Sequence, residues 1–454
     1  MNNNIDIDKK NYGIVYTPDK LVDEILDLIP QKYLENPNLK WLDIGAGKGA
    51  FSKNLYNRLM KNLSKLFNND EESKKHILKN MLYMVEIYEP HIDYLQSLFG
   101  KESNIIKQSF LSINEYNIHK FDFIIGNPPY NINGGIKTPT NSKIKKTDDG
   151  KAIYVEFINK SLKLLNKKGF LNLIIPSLWL KPDKAGLYNT LTTLKIHKLN
   201  CLSTSDSCKA FNYEAQTPTC FFLIENIELT KTETFSIEIY DRIENKYIDY
   251  QLKINYPIPI NGIQIINKLN HYLDLYGTIN YIKTSTTPQK MIIKDISGDN
   301  LYINIKTCLL NKLTPNIVYN YSNIKSKYSN NKPKLIMANK MYGIPFFDKK
   351  GNYGISTRDN YLIQDYSLTE LQDIQLFLST KFALFIFSIC NYRMRYLEKY
   401  AFSFIPDITK ILDFPKLLNV DREKRDELIA NFFNLSNKEK EFIEKSFKDY
   451  QFFI

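Results

Sequence analysis

Residues 121–131 read FDFIIGNPPYN. Phe121, Phe123, Ile124 and Ile125 form the short apolar run of a fully buried strand. The run stops at Gly126 and gives way to Asn127-Pro128-Pro129-Tyr130. A turn accounts for two prolines, whose φ is locked. It does not account for an amide before them and an aromatic ring after them. An amide oxygen and a rigidly held backbone carbonyl can together accept both hydrogens of one NH2 group, and a ring beside them offers a face for stacking. The stretch reads as a site for an exocyclic amine on a flat heterocycle.

Working outward, residues 1–225 alternate helical and strand-like patterns. TPDKLVDEILDLI (17–29) predicts a helix capped by Thr17, with Pro18 at its first position and Leu21, Ile25 and Leu28 on one face. KWLDIG (40–45) predicts a strand, 50–67 a helix, 81–89 a strand, 91–99 a helix and 104–110 a strand. After the opening strand come a helix at 152–165 and strands at 169–176 and 220–226. This alternation predicts an α/β domain with a Rossmann-like sheet, parallel and covered by helices on both faces. Ligands of such sheets sit at the carboxyl ends of the strands. The polar, basic stretch 131–151 beside the opening motif predicts a functional loop.

The first strand runs into Asp43-Ile44-Gly45-Ala46-Gly47-Lys48-Gly49, where glycines let the backbone approach a ligand closely. The spacing is not that of a phosphate-binding P-loop, which argues against an NTPase, nor a clean dinucleotide fingerprint. The second strand carries Glu86, an acid placed to accept ribose hydroxyls, with Ile87 after it. Together these residues predict a nucleoside-bearing ligand beside the amine site.

From about residue 228 the rhythm becomes irregular, with strand-like pieces at 234–241 and 333–341 and helical patterns at 368–389 and 421–448. The expected organisation is a catalytic domain over 1–228 and a second, mixed α+β domain over 229–454. The net charge of +12 favours an anionic partner, nucleic acid first. Five cysteines without a C-x-x-C pair, and scattered histidines, predict a reduced intracellular, cytoplasmic protein with no metal site. The longest apolar run, 382–390, is too short to span a bilayer, and MNNNIDIDKK is no signal peptide.

At this point the chain resembles the N6-adenine DNA methyltransferases of the gamma arrangement, over roughly residues 12–226. YGIVYTP (12–18) looks like that family's first cofactor segment, DIGAGKG (43–49) its glycine motif, and Asn127–Tyr130 its catalytic motif. The resemblance implies S-adenosyl-L-methionine as cofactor. It would be held by Tyr16, Thr17, Pro18, Asp43, Gly45, Ala46, Gly47, Glu86, Ile87, Ser109, Phe110, Asn127 and Phe157. Asn127, Pro128, Pro129 and Tyr130 would be catalytic, with Tyr130 and Phe211 stacking on a target adenine flipped from duplex DNA. The family usually carries Asp where Ser109 stands, so a weaker hydrogen bond to the cofactor is expected here.

The same four-residue motif occurs in protein-glutamine N5-methyltransferases, but those lack a large domain after the catalytic one. A cytosine N4 enzyme, which more often has Ser in place of Asn127, and a catalytically inactive DNA-recognition subunit are further alternatives. The second domain is expected to be the DNA reader. Its candidate segments are 283–290, 323–334 and 349–359, all polar and basic, whereas Leu371–Ile389 is expected in the core. About ten residues precede the YGIVYTP segment, so no fused N-terminal nuclease is expected. A cognate restriction endonuclease stays open as a separate partner.

Overall fold

The computed structural model describes residues 15–131, 152–182, 186–215, 217–229, 235–286, 291–293, 301–311, 314–339, 345–358, 360–393 and 397–447. The stretch expected as a functional loop therefore lies, from residue 132 onward, outside the described residues. The chain divides into two compact units, Met1–Tyr240 with Gln251–Ile254, and Asp241–Tyr250 with Asn255–Ile454.

The first unit is built on β1 (Trp41–Asp43), β2 (Leu82–Glu86), β3 (Asn104–Lys107), β4 (Phe121–Gly126), β5 (Leu165–Pro176), β6 (Leu194–Leu202), β7 (Thr219–Glu228) and β8 (Phe235–Asp241). Their order is β3-β2-β1-β4-β5-β7-β6-β8, and the next strand in the chain, β9 (Lys246–Leu252), runs through residues of both units. The helices are α1 (Asp19–Leu26), α2 (Gln31–Leu34), α3 (Ala50–Leu63), α4 (Asp70–His76), α5 (Glu89–Phe99), α6 (Tyr154–Leu164), α7 (Leu187–Thr192) and α8 (Thr204–Ala210). This is the Rossmann-like α/β arrangement that the alternation predicts. Strand β8, beyond the expected boundary at 228, pairs in parallel with β6 through Leu199 and Ile239, so the division falls later.

Two features depart from the expected all-parallel sheet. Strand β6 is additional to the expected strands, since its sequence shows no clean alternation. Strand β7 is antiparallel to both β5 and β6. The reason is length. Helix α8 has seven residues, and at about 1.5 Å per residue it cannot carry the chain back along a nine-residue strand. The chain turns round at the same sheet edge and returns antiparallel, as short connections require.

The central strands are pinned by an aromatic ladder. Trp41 stacks on Phe123 with ring centroids 4.0 Å apart, and Phe123 on Phe170 at 4.9 Å. These residues are cross-strand partners in β1, β4 and β5. A slip of one residue would turn each ring to the other face of the sheet.

The second unit holds β10 (Ile282–Lys283), β11 (Ile292–Ile293), β12 (Tyr302–Asn311), β13 (Thr314–Ser322), β14 (Lys334–Ala338), β15 (Phe346–Asp348), β16 (Gly354–Ile355) and β17 (Asn360–Gln364). They form two four-stranded sheets, β10-β17-β14-β15 and β11-β13-β12-β16. Ile305, Tyr328, Ile336, Ile355 and Leu362 share one apolar cluster. The helices are α9 (Ile263–Tyr276), α10 (Leu368–Leu378), α11 (Lys381–Ser388), α12 (Arg422–Phe432) and α13 (Asn437–Phe447). The helix expected over 368–389 is two helices, because Thr380 accepts from the Ala383 amide and caps a new start. Most of Leu371–Ile389 is buried, as expected, whereas Leu368 is exposed. Among the described residues no helix is long and apolar enough to cross a membrane.

Candidate active site

The strands β1, β2 and β4 end side by side, Asp43 opposite Met84 and Ile125. The strand order reverses between β1 and β4, and there open α/β sheets leave a crevice. Asp43, Glu86 and Asn127 all stand at this edge.

Asn127 is held by one side of its amide. Its Nδ2 donates to Thr17 Oγ1 at 3.1 Å. Its Oδ1 is buried and has no partner among the described residues. A buried carbonyl left unpaired costs about 1–3 kcal/mol. The fold thus orients the amide and leaves its acceptor open. The expectation that Thr17 caps α1 is corrected here: Pro18 occupies the N-cap position, and the Thr17 hydroxyl serves Asn127 instead.

Pro128 is buried and Pro129 half-buried. Tyr130 buries its hydroxyl, again without a partner among the described residues, while its side chain stays partly exposed. Burial, with Cys220 and Tyr154 nearby, pushes that phenol far above its ordinary range, so it stays neutral. The Tyr130 carbonyl accepts from the Ile153 amide at 3.2 Å, which ties the motif to the start of α6.

Gly126 explains why the strand ends where it does. Its φ is +132°, and a Cβ there would lie 3.0 Å from Asp43 Oδ1. Asp43 is fully buried. Its Oδ2 accepts from Ser52 Oγ at 2.7 Å, and its Oδ1 has no partner among the described residues. Burial pushes the Asp43 carboxyl up to about 6, the Ser52 hydroxyl and Gly45 amide pull against that rise, and the Glu86 charge adds to it.

Glu86 is the opposite case. Its Oε2 accepts from the Gly47 amide at 2.7 Å, and its Oε1 from the Ile87 and Tyr88 amides at 2.8 Å each. Burial alone would raise its pKa. The neighbouring His91 and the Tyr88 and Ile87 amides outweigh burial and hold it below the ordinary range. Ile87 is 57% exposed, an apolar side chain at the rim of the crevice.

Tyr16 reaches the other side. Its hydroxyl lies 3.1 Å from His91 Nε2, and the Lys48 ammonium sits 4.6 Å from its ring centre. The segment around Tyr16 and Thr17 therefore touches β4 through Asn127 and α5 through His91. His91, Lys48 and Ser52 were not singled out in the sequence. Only tertiary contacts mark them, because each lies on a helix or loop with an ordinary pattern.

Phe110 and Phe157 stack on each other, centroids 5.1 Å apart, and both are buried. Ser109 precedes them, and its carbonyl accepts from the Ser112 amide and hydroxyl. Ala46 donates its amide to the Val85 carbonyl at 2.9 Å, joining the glycine loop to β2. A Cβ placed on Gly45 or Gly47 would meet nothing within 4 Å, so the loop faces open space. Phe211 departs from expectation. It is 1% exposed, packed at the end of α8 by the hydrophobic gain of about 1.5–3 kcal/mol that a buried phenylalanine brings. The exposed ring there is Tyr213, at 73%. Among the described residues no group of three or more His, Cys, Asp or Glu could hold a metal ion.

Residues 33–211 match the family described as Eco57I restriction-modification methylase. The chain is 24% identical over 360 residues to an uncharacterized adenine-specific methylase of Mycoplasma pneumoniae, covering 62% of this chain and 83% of that protein. It is 34% identical over 187 residues to the type II methyltransferase M.BstVI of Geobacillus stearothermophilus, covering 36% of this chain and 33% of that one. Among solved structures, the type IIL restriction-modification enzyme MmeI in complex with DNA aligns over 98% of this chain and 76% of its own, with 13% identity and a TM-score of 0.48. The family match spans the glycine loop, Glu86 and Asn127–Tyr130, so over the residues that build the crevice the chain is similar to restriction-modification methylases.

Proposed function

We propose that the chain is a site-specific DNA methyltransferase that places a methyl group on the N6 amine of adenine in duplex DNA. The observation that carries this reading is the open Oδ1 of Asn127, buried and oriented by Thr17 at the end of β4. S-adenosyl-L-methionine supplies a sulfonium methyl group when bound. The residues present fit it. The Asp43 Oδ1, open and buried, suits its ammonium group, Gly45 and Gly47 leave room for its backbone, and Ile87 offers apolar surface to its base. Glu86 has lone pairs left after its three amides to receive ribose hydroxyls.

Asn127 Oδ1 and the Pro128 carbonyl accept the two N6 hydrogens and draw the nitrogen lone pair out of conjugation with the ring. A bound cofactor would supply the methyl group to this nitrogen, the sulfur keeping the electron pair of the broken C–S bond and the amine's excess proton passing to solvent. The work of the protein is positioning. The reactive amine is hidden in a duplex, so the base is flipped out, and the partly exposed face of Tyr130 receives it. Phe211, buried at the end of α8, offers no exposed face to such a base. The second unit is assigned to target recognition. A cognate restriction endonuclease is the fitting partner, and the cytoplasm the fitting compartment.

A relative named as an adenine-specific methylase, and a family described as restriction-modification methylase, support adenine in DNA over a glutamine side chain. The test is transfer of labelled methyl groups to unmethylated DNA, with the modified base identified by digestion. Methyladenine in DNA supports the reading. Label appearing only in protein, or DNA binding without transfer, refutes it.

A further inference from the structure

Two of the polar segments expected to read DNA are zipped to one another in the second unit. The Asn331 amide donates to the Gly351 carbonyl at 3.2 Å, and Ser329 Oγ donates to the Asn352 carbonyl at 2.9 Å. Gly351 has φ +68°, and a Cβ there would sit 2.3 Å from the Lys332 backbone nitrogen. Only glycine lets the two loops close this tightly.

Beneath them lies a buried ion pair. Lys334 Nζ and Asp348 Oδ2 are 2.9 Å apart and almost wholly out of water, at 0% and 2% side-chain exposure. Asp348 Oδ2 also accepts from the Tyr353 amide at 3.0 Å, and Oδ1 from the Asn352 amide at 3.2 Å. Burying two charges strips both of water, a cost that their attraction and further hydrogen bonds must offset. An ordinary solvated turn needs no such support. Here it fixes a short loop, Lys349-Lys350-Gly351-Asn352, whose lysines and asparagine are all exposed. Asn330 and Asn331 face solvent on the loop it is zipped to. The paired loops present Lys350, Lys349 with its ammonium 5.6 Å from the Phe347 ring centre, and several side-chain amides on a rigid base. The Asp348 carboxylate is spent inward, and Lys332 is paired with Asp365 at 2.9 Å, so Lys349 and Lys350 are the cations this element offers. Lysines suit phosphates, and amides suit base edges.

We infer that the paired loops 329–332 and 349–352 are a preorganised DNA-contacting element, with Lys349 and Lys350 on the phosphate backbone and Asn352 at base edges. This rests on the DNA reading above. It goes further by naming the element and dividing its labour.

The test uses the full-length protein with cognate and unrelated duplexes across a salt series. K349A/K350A should weaken binding to both duplexes alike and lower the slope of log affinity against log salt by about 1.8, at about 0.9 per phosphate contact. N352A should weaken cognate binding alone, and G351A should cost tenfold or more on cognate DNA. Cofactor affinity and the thermal midpoint serve as folding controls. A wild-type protein that methylates DNA, with K349A/K350A showing an unchanged salt slope, overturns the inference alone. A wild-type protein that neither binds nor methylates DNA overturns both this inference and the function it rests on.

Discussion

Asn127 and Asp348 are both polar side chains at the carboxyl end of a strand, and the two units treat them oppositely. Asp348 spends its acceptors on a lysine and two backbone amides. Asn127 is fastened through its donor alone, and its acceptor is left open in a buried place. The first arrangement builds a rigid loop. The second holds a reactive contact in waiting. The same contrast appears within the first unit, where Glu86 accepts three amides and one oxygen of Asp43 has no partner among the described residues. Polar groups that are fully satisfied make structure, and those held but unsatisfied mark where a ligand completes the site.

The contrast can be broken by removal. Asp348→Ala strands the Lys334 ammonium in the core, and loss of one member of a buried pair costs about 3–5 kcal/mol. Denaturant unfolding should show that loss, while cofactor affinity, a property of the first unit, stays constant. Asn127→Ala should do the reverse. Methyl transfer should fall by about 10²–10³-fold, the range for removing one preorganised polar contact to a reacting group. Stability should hold or rise, because an unpaired buried carbonyl is gone. If Asn127→Ala instead unfolds the protein and leaves specific activity intact, the amide is structural.

Asp43 sharpens the comparison through pH. Its folded value of about 6 lies above the ordinary 3.8, so the folded state takes up a proton more readily than the unfolded chain. Stability from this group is therefore present at low pH and declines as pH rises through that window. Binding of a cationic cofactor group has the opposite sign. It needs the carboxylate, so affinity should fall about tenfold per pH unit below about 6. Calorimetric titration of S-adenosylmethionine across that window measures it, and Asp43→Asn should give a flat, weak profile. The smallest effect belongs to Thr17→Val. It removes the hydroxyl that orients Asn127, a hydrogen bond worth about 0.5–1.5 kcal/mol. The rate should drop about three- to tenfold with little change in DNA affinity, and Thr17→Ser should restore it.

Much of the catalytic edge was legible because its signals are local. A buried-strand pattern over 121–125, a glycine loop after 40–43 and an acid in the next strand each lie within a few neighbouring residues. The departures have one cause in common. Thr17 looked like a helix cap because serine and threonine before a helix usually are, and no local pattern shows that Asn127 claims its hydroxyl. Phe211 looked like a stacking ring, yet its surroundings bury it. Strand β6 has no clean alternation because it lies between β7 and β8, with Leu199, Asn200, Cys201 and Leu202 buried in succession. The antiparallel turn of β7 follows from how little chain α8 offers, a length visible in sequence only once the strand before it is known.

Residue order alone thus settled which groups stand at the strand ends. Prolines lock their own backbone and glycines free theirs, and alternation assigns a strand its faces. These are effects of neighbours in the chain. Which oxygen is filled and which stays open was decided by the tertiary structure. Asn127 meets Thr17 across 110 positions of sequence, and Gly126 approaches Asp43 only when β4 lies beside β1. Hydrogen bonds act over about 3 Å of space, and only the folded sheet brings these groups to that distance.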